Sequence, residues 1–138
     1  MTADLNALAA RAEAATGPSE ELFAEVWWAV FPRPERIWEN EDHEEWTNEY
    51  SNWQTRQHRF WTFMEAEAWV DAALTLAPEN LRLVCLAEAL QDNAAVPWMA
   101  KLGNRNLPGG LPACGARTPA LALVAASLRS RAAEGEVM

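Results

Sequence analysis

The stretch that decides the fold is residues 81–102, LRLVCLAEALQDNAAVPWMAKL. Over 81–85, leucine and cysteine alternate with arginine and valine, which is the pattern of a strand. Residues 87–90 would also suit a helix. A second apolar run at 96–102 predicts another strand, which returns antiparallel across a turn at 91–95. We therefore expect a small antiparallel sheet.

Helices are predicted on both sides of this sheet. A helix over 65–77, with Ala66 and Leu74 on its buried side, is closed by Pro78. Thr118 is expected to cap a last helix that runs to about residue 133, with proline at its first position. Two more helices are predicted. One covers Asp4–Ala15, with Asp4 or Thr2 as its cap, and the other follows a Ser19 cap and is ended by Pro32 and Pro34. The prediction is one α+β domain over residues 1–138, with a small antiparallel sheet packed between helices in a helix-sheet-helix sandwich.

The segment 103–117 is a candidate ligand-binding loop, because it holds four glycines and two prolines and leads into a helix N-terminus. Backbone N–H groups and the helix dipole attract anions at such an end. We predict Arg105, Arg117 and Thr118 as phosphate contacts, with Trp98 stacking on a base. The alternative is a glycine-rich surface loop with solvated arginines.

Charge is concentrated in the first half of the chain. The formal net charge is -9, and residues 1–69 hold 14 acids against 5 bases. Seven of those acids lie between residues 35 and 49. A chain this acidic lacks the basic surface that nucleic-acid binding requires, so we expect no direct nucleic-acid binding.

The acidic block belongs to a tryptophan-rich segment at about 35–61, which we expect to be an insertion in the domain. Trp38, Trp46 and Trp53 are spaced by 8 and 7 residues, which suits either one helix face or two strand pieces around a turn. We favour irregular structure with strand pieces over 46–53, because asparagine, threonine, tyrosine and serine dominate there, and a strand over 58–63.

The same segment is a candidate protein interface, since charged rims steer encounter and aromatic side chains anchor contacts. The alternatives are a solvated acidic face and, for the tryptophans, core packing. By contrast, Trp27, Trp61 and Trp69 lie on apolar faces and are expected in the core. The predicted interface residues are Trp38, Glu41, Glu44, Glu45, Trp46 and Trp53.

The residues that usually carry chemistry are few and scattered. His43 and His58 lack partners at metal-ligand spacing, so no metal or cofactor is expected. Cys85 lies in a predicted strand and is expected to be buried, whereas Cys114 lies in the loop and is expected to be exposed. No histidine pattern supports a cysteine or serine nucleophile, so we predict no enzyme. No apolar run approaches the ~18 residues of a membrane span, and no signal peptide is recognised, so a cytoplasmic protein is expected.

Three sequence blocks resemble those of small phage and prophage proteins. They are 71–79 (DAALTLAPE), 118–123 (TPALAL) and the Gly17-Pro18-x-x-Glu21-Leu22 block. The chain is similar there to the phage ABA-sandwich family, which has a sheet between helices. That family includes sponge proteins that counter Thoeris and cyclic-nucleotide defence systems by sequestering their signal molecules. The resemblance implies a similar fold, a bacterial host cell and an oligomeric assembly.

Two functions are therefore expected from different classes. The first is a phage-type counter-defence protein that sequesters a nucleotide-derived signal without turnover. The alternative is an acidic inhibitor of a host defence protein, anti-CRISPR-like or a nucleic-acid mimic, which acts by protein contact. In either case the last helix is apolar on nearly every side, which predicts a homodimer or higher oligomer unless the first two helices of the same chain cover it.

Overall fold

A computed structural model of the protein describes residues 4–34, 43–88, 98–104, 106 and 110–137, with side chains omitted at 43–47 and 135–137. These residues form five helices and a three-stranded antiparallel sheet with helices packed on it, so the α+β prediction is confirmed. In this part of the chain no helix is both long and apolar enough to cross a membrane. The elements are α1 (Leu5–Ala14), α2 (Glu20–Val30), α3 (His43–Glu65), α4 (Trp69–Leu74), β1 (Arg82–Glu88), β2 (Trp98–Gly103), β3 (Cys114–Ala116) and α5 (Pro119–Val137).

The sheet has the strand order β1-β2-β3, and the two predicted strands pair antiparallel as expected. Strand β1 continues to Glu88, beyond the point where the sequence also suited a helix. The pairing with β2 skips Val84, which forms a bulge between Leu83 and Cys85. Strand β3 was not predicted, because its three residues lie inside the glycine-rich loop. The predicted turn at 91–95 lies outside the described residues.

The helix caps follow the sequence closely. The carboxylate of Asp4 accepts a hydrogen bond from the Ala7 N–H at 3.1 Å, at the start of α1. The hydroxyl of Ser19 does the same for α2, where it accepts from Leu22 N–H at 3.2 Å. Each cap satisfies one of the N–H groups that a helix start leaves without a partner, so both N-termini form where the sequence predicts.

Helix α5 lies at the centre of the fold. It packs against β2, β3, α1 and α4, and every residue from 120 to 128 is buried. Its apolar character on nearly every side is therefore accounted for by contacts within one chain. The burial of α5 does not require a second subunit, since α1 and α4 of the same chain cover its apolar surface.

Helix α3 occupies residues 43–65, so the prediction of irregular structure with strand pieces over 46–53 and a strand over 58–63 is wrong. Trp53, Phe60 and Met64 are buried at i, i+7 and i+11, which is one face of a helix. The threonines at 55 and 62 are accommodated because their hydroxyls donate to the carbonyls four residues earlier, at 3.0 Å and 2.7 Å. Helix α3 therefore contributes Trp53, Phe60 and Met64 to the hydrophobic core.

The helix predicted over 65–77 is shorter than expected. Glu67 adopts a left-handed backbone conformation with φ of 56°, which separates the end of α3 from α4. Because of this break, Ala66 is exposed and Leu74 is 39% exposed, although the sequence placed both on the buried side. Ala72 and Ala73 supply the buried face of α4 instead.

An aromatic cluster joins α2 to α3. Trp27 lies at its centre and is fully buried, with ring-centroid distances of 5.2 to 6.1 Å to five neighbours. The expectation that Trp27 lies in the core is confirmed, while Trp61 and Trp69 are half-buried against it. The cluster comprises Trp27, Trp28, Phe31, Trp53, Phe60 and Trp61.

Candidate functional site

The sheet brings together three of the four residues predicted to bind a nucleotide. Trp98 pairs with Ala116 across β2 and β3, and Arg117 and Thr118 follow directly in the chain. Trp98 is half-buried and Arg117 is exposed. Arg105 lies outside the described residues.

Thr118 acts as a helix cap. Its hydroxyl accepts a hydrogen bond from Leu121 N–H at 3.2 Å, and its carbonyl accepts one from Ala122 N–H at 3.0 Å. The residues at 120–122 are buried, and Pro119 has no N–H to offer. Most of the N–H groups at this helix start are thus already satisfied or covered, which leaves Trp98 and Arg117 as the accessible part of the predicted site.

The predicted protein interface is only partly visible. Trp38 and Glu41 lie outside the described residues, and the side chains of Glu44, Glu45 and Trp46 are likewise not described, although their backbone belongs to α3. The remaining member, Trp53, is 9% exposed, and its indole N–H donates to the Phe31 carbonyl at 2.9 Å. Trp53 therefore packs in the core and does not present an anchor to a partner.

Sequence reasoning missed a cleft between the end of α2, α3 and the segment around α4. It has a volume of about 430 Å³ and is lined by both aromatic and charged side chains. Cavities of ~300–1,000 Å³ with apolar walls and a few placed polar groups are typical of small-molecule sites. The residues that matter for its chemistry are Trp27, Phe31, Arg56, Arg59, Phe63, Asp71 and Glu79.

One side of the cleft is built on Phe31, whose ring is contacted by two guanidinium groups. The Arg56 carbon Cζ lies 5.5 Å from the ring centroid, and the Arg131 Cζ lies 5.2 Å from it. Arg131 is fixed further because its Nε–H donates to the Leu76 carbonyl at 2.8 Å. Burial lowers the pKa of Arg131, although a guanidinium stays protonated throughout the physiological range. These contacts hold α5, α3 and the end of α2 around one ring.

The rim carries both paired and unpaired charges. Arg56 forms a salt bridge with Glu79, and this hydrogen bond holds the pKa of the Glu79 carboxyl below its usual value. Arg59 is exposed, with its Cζ 5.9 Å from the Phe63 ring centroid. Among the described residues, Arg59 has no salt bridge within 4.0 Å. Arg59 is therefore the guanidinium of the cleft that is available to an anionic group.

The chemistry of the cleft comes from its aromatic and charged side chains. His58 lies on α3 but is exposed and does not line the cleft. The described residues contain no group of three His, Cys, Asp or Glu side chains that could hold a metal ion. The cleft offers the half-buried rings of Phe31 and Phe63 to a planar group and the Arg59 guanidinium to an acidic group.

The two cysteines have the opposite burial from that expected. Cys85 is exposed because β1 is an edge strand with little covering it, so the expectation of a buried thiol is wrong. Cys114 is 5% exposed because the loop forms β3 and packs under α5. Burial raises the pKa of the Cys114 thiol, which keeps it protonated and unreactive.

The surface salt bridges give a pH prediction. Hydrogen bonds from Arg11 and Arg56 lower the pKa of Glu25 and Glu79, respectively, below the usual 4.5. A carboxyl whose pKa is lowered by folding stabilises the protein above its unfolded pKa and loses that contribution as pH falls through the folded pKa. We expect the melting temperature to fall as the pH drops below about 4.5, and Glu79→Gln to flatten part of that fall. An identical pH profile for Glu79→Gln and the wild type would contradict the pairing with Arg56.

No known protein family, curated protein or solved structure matches this chain. Interpretation of the site therefore depends on its geometry and chemistry.

Proposed function

We propose that the protein binds a small anionic molecule with a planar ring, of the nucleotide-derived signalling class, and sequesters it without turnover. The observation that supports this most is the cleft of about 430 Å³, with aromatic side chains in its wall and Arg59 at its rim. A role in phage counter-defence, inside the cytoplasm of a bacterial host, is part of the proposal and rests on the sequence resemblance alone.

The fit of a nucleotide to the cleft follows from two contacts. A base or similar ring stacks on the apolar surface that includes Phe63, in the way aromatic rings prefer offset or edge contacts. A phosphate binds Arg59, because a guanidinium fork matches phosphate oxygens and Arg59 has no acidic partner among the described residues. Asp71 also lines the cleft and disfavours a second anionic group beside it. The charge pattern therefore favours a ligand that places one phosphate at Arg59 and keeps its other anionic groups away from Asp71.

Calorimetry with cyclic dinucleotides, cyclic trinucleotides and cyclic ADP-ribose isomers tests the proposal. For whichever compound binds, Arg59→Gln is expected to weaken binding about 10- to 100-fold, since a hydrogen bond to a charged group contributes about 1.5–3 kcal/mol. Arg117→Gln is the matched control, because it removes an exposed arginine beside Trp98 and leaves the cleft intact.

The outcomes separate the two candidate sites. A loss of affinity in Arg117→Gln with none in Arg59→Gln would transfer the ligand to the sequence-predicted site and refute the cleft. The absence of heat with every compound, at high micromolar protein, would count against nucleotide sequestration itself.

The competing hypothesis, an inhibitor that binds a host protein, is tested on the same protein. Pull-down from host lysate is compared between the wild type and a variant with Glu41, Glu44 and Glu45 reversed to lysine. A host protein that is captured by the wild type and lost in the variant would favour the inhibitor. A clean blank with folded protein would leave sequestration as the better explanation.

A homodimer or higher oligomer also remains part of the proposal, although α5 does not require one. Light scattering at low micromolar concentration distinguishes the states, with a mass near 15.4 kDa indicating a monomer.

A further inference from the structure

Three arginines of this acidic chain gather around the cleft. Arg56 and Arg59 both line it and lie one turn apart on α3, where like charges repel each other. Arg131 of α5 contacts the same Phe31 ring as Arg56. The whole chain has 11 lysines and arginines against 20 acids, so its composition does not by itself account for three cations at one place. Positive charges concentrated in a cleft raise its affinity for anions.

Glu79 neutralises one of these arginines in a way that a ligand can reverse. The contact joins one Arg56 nitrogen, Nη2, to one Glu79 oxygen, Oε1. The Arg56 and Glu79 side chains are 45% and 75% exposed, and exposed ion pairs of this kind contribute little to stability. Glu79 also lies in the turn between α4 and β1, so its side chain can move into solvent without disturbing a helix or a strand.

Arg56 has a second contact that holds it at the cleft when Glu79 moves away. Its Cζ lies 5.5 Å from the Phe31 ring centroid, and this contact does not involve the carboxylate. A guanidinium has five N–H donors and can bind two phosphate oxygens at once, whereas Glu79 engages one nitrogen. A phosphate therefore satisfies Arg56 better than Glu79 does.

We propose that Glu79 holds the place of a second phosphate group. When the ligand enters, its second phosphate replaces Glu79 on Arg56 while its first phosphate binds Arg59. This inference rests on the proposed function for the first phosphate. It goes further because it assigns the cleft to compounds that carry two phosphate groups, and because it makes Glu79 the residue that limits their affinity.

Titration with inorganic pyrophosphate, followed by the NMR signals of the arginine Nε–H groups, tests the exchange without a base. Glu79→Gln is expected to tighten pyrophosphate binding about three- to fivefold, which is the affinity equivalent of one exposed ion pair. This gain is expected to disappear when Arg56→Gln is added, because the released guanidinium is then missing. Equal affinity in the wild type and Glu79→Gln, or no binding to Glu79→Gln at millimolar pyrophosphate, would overturn the proposal.

Two matched variants control for net charge. Asp71→Asn removes another carboxylate that lines the cleft, and Glu25→Gln removes the carboxylate of an exposed salt bridge between α1 and α2. Glu25→Gln is expected to leave pyrophosphate affinity unchanged, and any gain in Asp71→Asn is expected to persist when Arg56→Gln is added. A gain in Glu79→Gln that also persists without Arg56 would refute the exchange, since it would show general repulsion of anions.

The same variants separate this inference from the proposed function. Nucleotide binding that responds to neither Glu79→Gln nor Arg56→Gln would preserve sequestration and refute the exchange at Arg56. Pyrophosphate binding with the expected responses, but with no binding of any nucleotide, would support the exchange and refute the nucleotide ligand.

Discussion

Replacing Trp27 with alanine is expected to lower the free energy of unfolding by about 3–5 kcal/mol. Trp27 is fully buried and contacts the rings of five other residues that join α2 to α3. Alanine would leave a cavity that these large, interlocked rings cannot readily collapse to fill. Chemical denaturation, followed by the fluorescence of the remaining tryptophans or by circular dichroism, measures the loss.

Two further variants make this prediction specific. Trp28→Ala removes a neighbouring tryptophan of the same cluster that is 46% exposed, so its cost should be less than half that of Trp27→Ala. Trp27→Phe keeps a ring and removes an indole N–H that has no hydrogen-bond partner among the described residues. Because an unsatisfied buried donor is itself unfavourable, this variant should also cost much less than alanine. Equal losses for Trp27→Ala and Trp28→Ala would contradict a cluster centred on Trp27.

The features that the sequence predicted correctly are those decided over a few neighbouring residues. Asp4, Ser19 and Thr118 each cap the helix that follows them, because a short polar side chain can reach an N–H only three residues away. Strands β1 and β2 also overlap the segments where strands were predicted, since the alternation of side chains acts locally. For these elements, the local sequence preference and the packing of the surrounding fold favour the same structure.

Helix α3 shows where residue type misleads. Its asparagine, threonine and serine residues have weak helix propensity, yet the buried positions at 53, 60 and 64 repeat at a helical period. Burial of large aromatic and apolar side chains against Trp27 outweighs those small preferences, which amount to less than about 1 kcal/mol per residue. The spacing of 7 between Trp46 and Trp53 was the informative signal, and a further seven residues lead to Phe60.

The burial of the cysteines and the position of the cleft depend on contacts between distant parts of the chain. Cys114 is buried only because β3 pairs with β2 and lies under α5, and no local pattern marks residues 114–116 as a strand. The cleft likewise combines Phe31, Arg59 and Glu79 from three separate segments. The sequence carries one local indication of the cleft: Arg56, Arg59 and Phe63 on α3 follow one another at i, i+3 and i+7. This spacing places them on one face only if the segment is a helix, which the residue types there did not predict.

Enlarging Ala125 to phenylalanine is expected to cost about 3 kcal/mol, at the upper end of the usual range for overpacking. Ala125 is fully buried, on a helix that packs against β2, β3, α1 and α4 of the same chain. Small side chains allow those elements to approach α5 closely, so a ring at this position must displace one of them. Thermal unfolding should register a fall of roughly 10 °C, since 1 kcal/mol corresponds to about 3–4 °C for a chain of this size.

Ala133→Phe is the matched control, because Ala133 is exposed near the end of the same helix. The two variants share any loss of helix propensity, so the difference between them isolates packing around the centre of α5. Ala133→Phe should stay within about 1 kcal/mol of the wild type.

The stability of Ala125→Phe at different protein concentrations also shows whether Ala125 is enclosed by one chain or by two. If the surface around Ala125 were open in the monomer and covered only by a second copy, Ala125→Phe would shift the monomer–dimer equilibrium and leave the unfolding of the dilute monomer unchanged. Enclosure within one chain instead requires the loss of stability to be the same at every protein concentration.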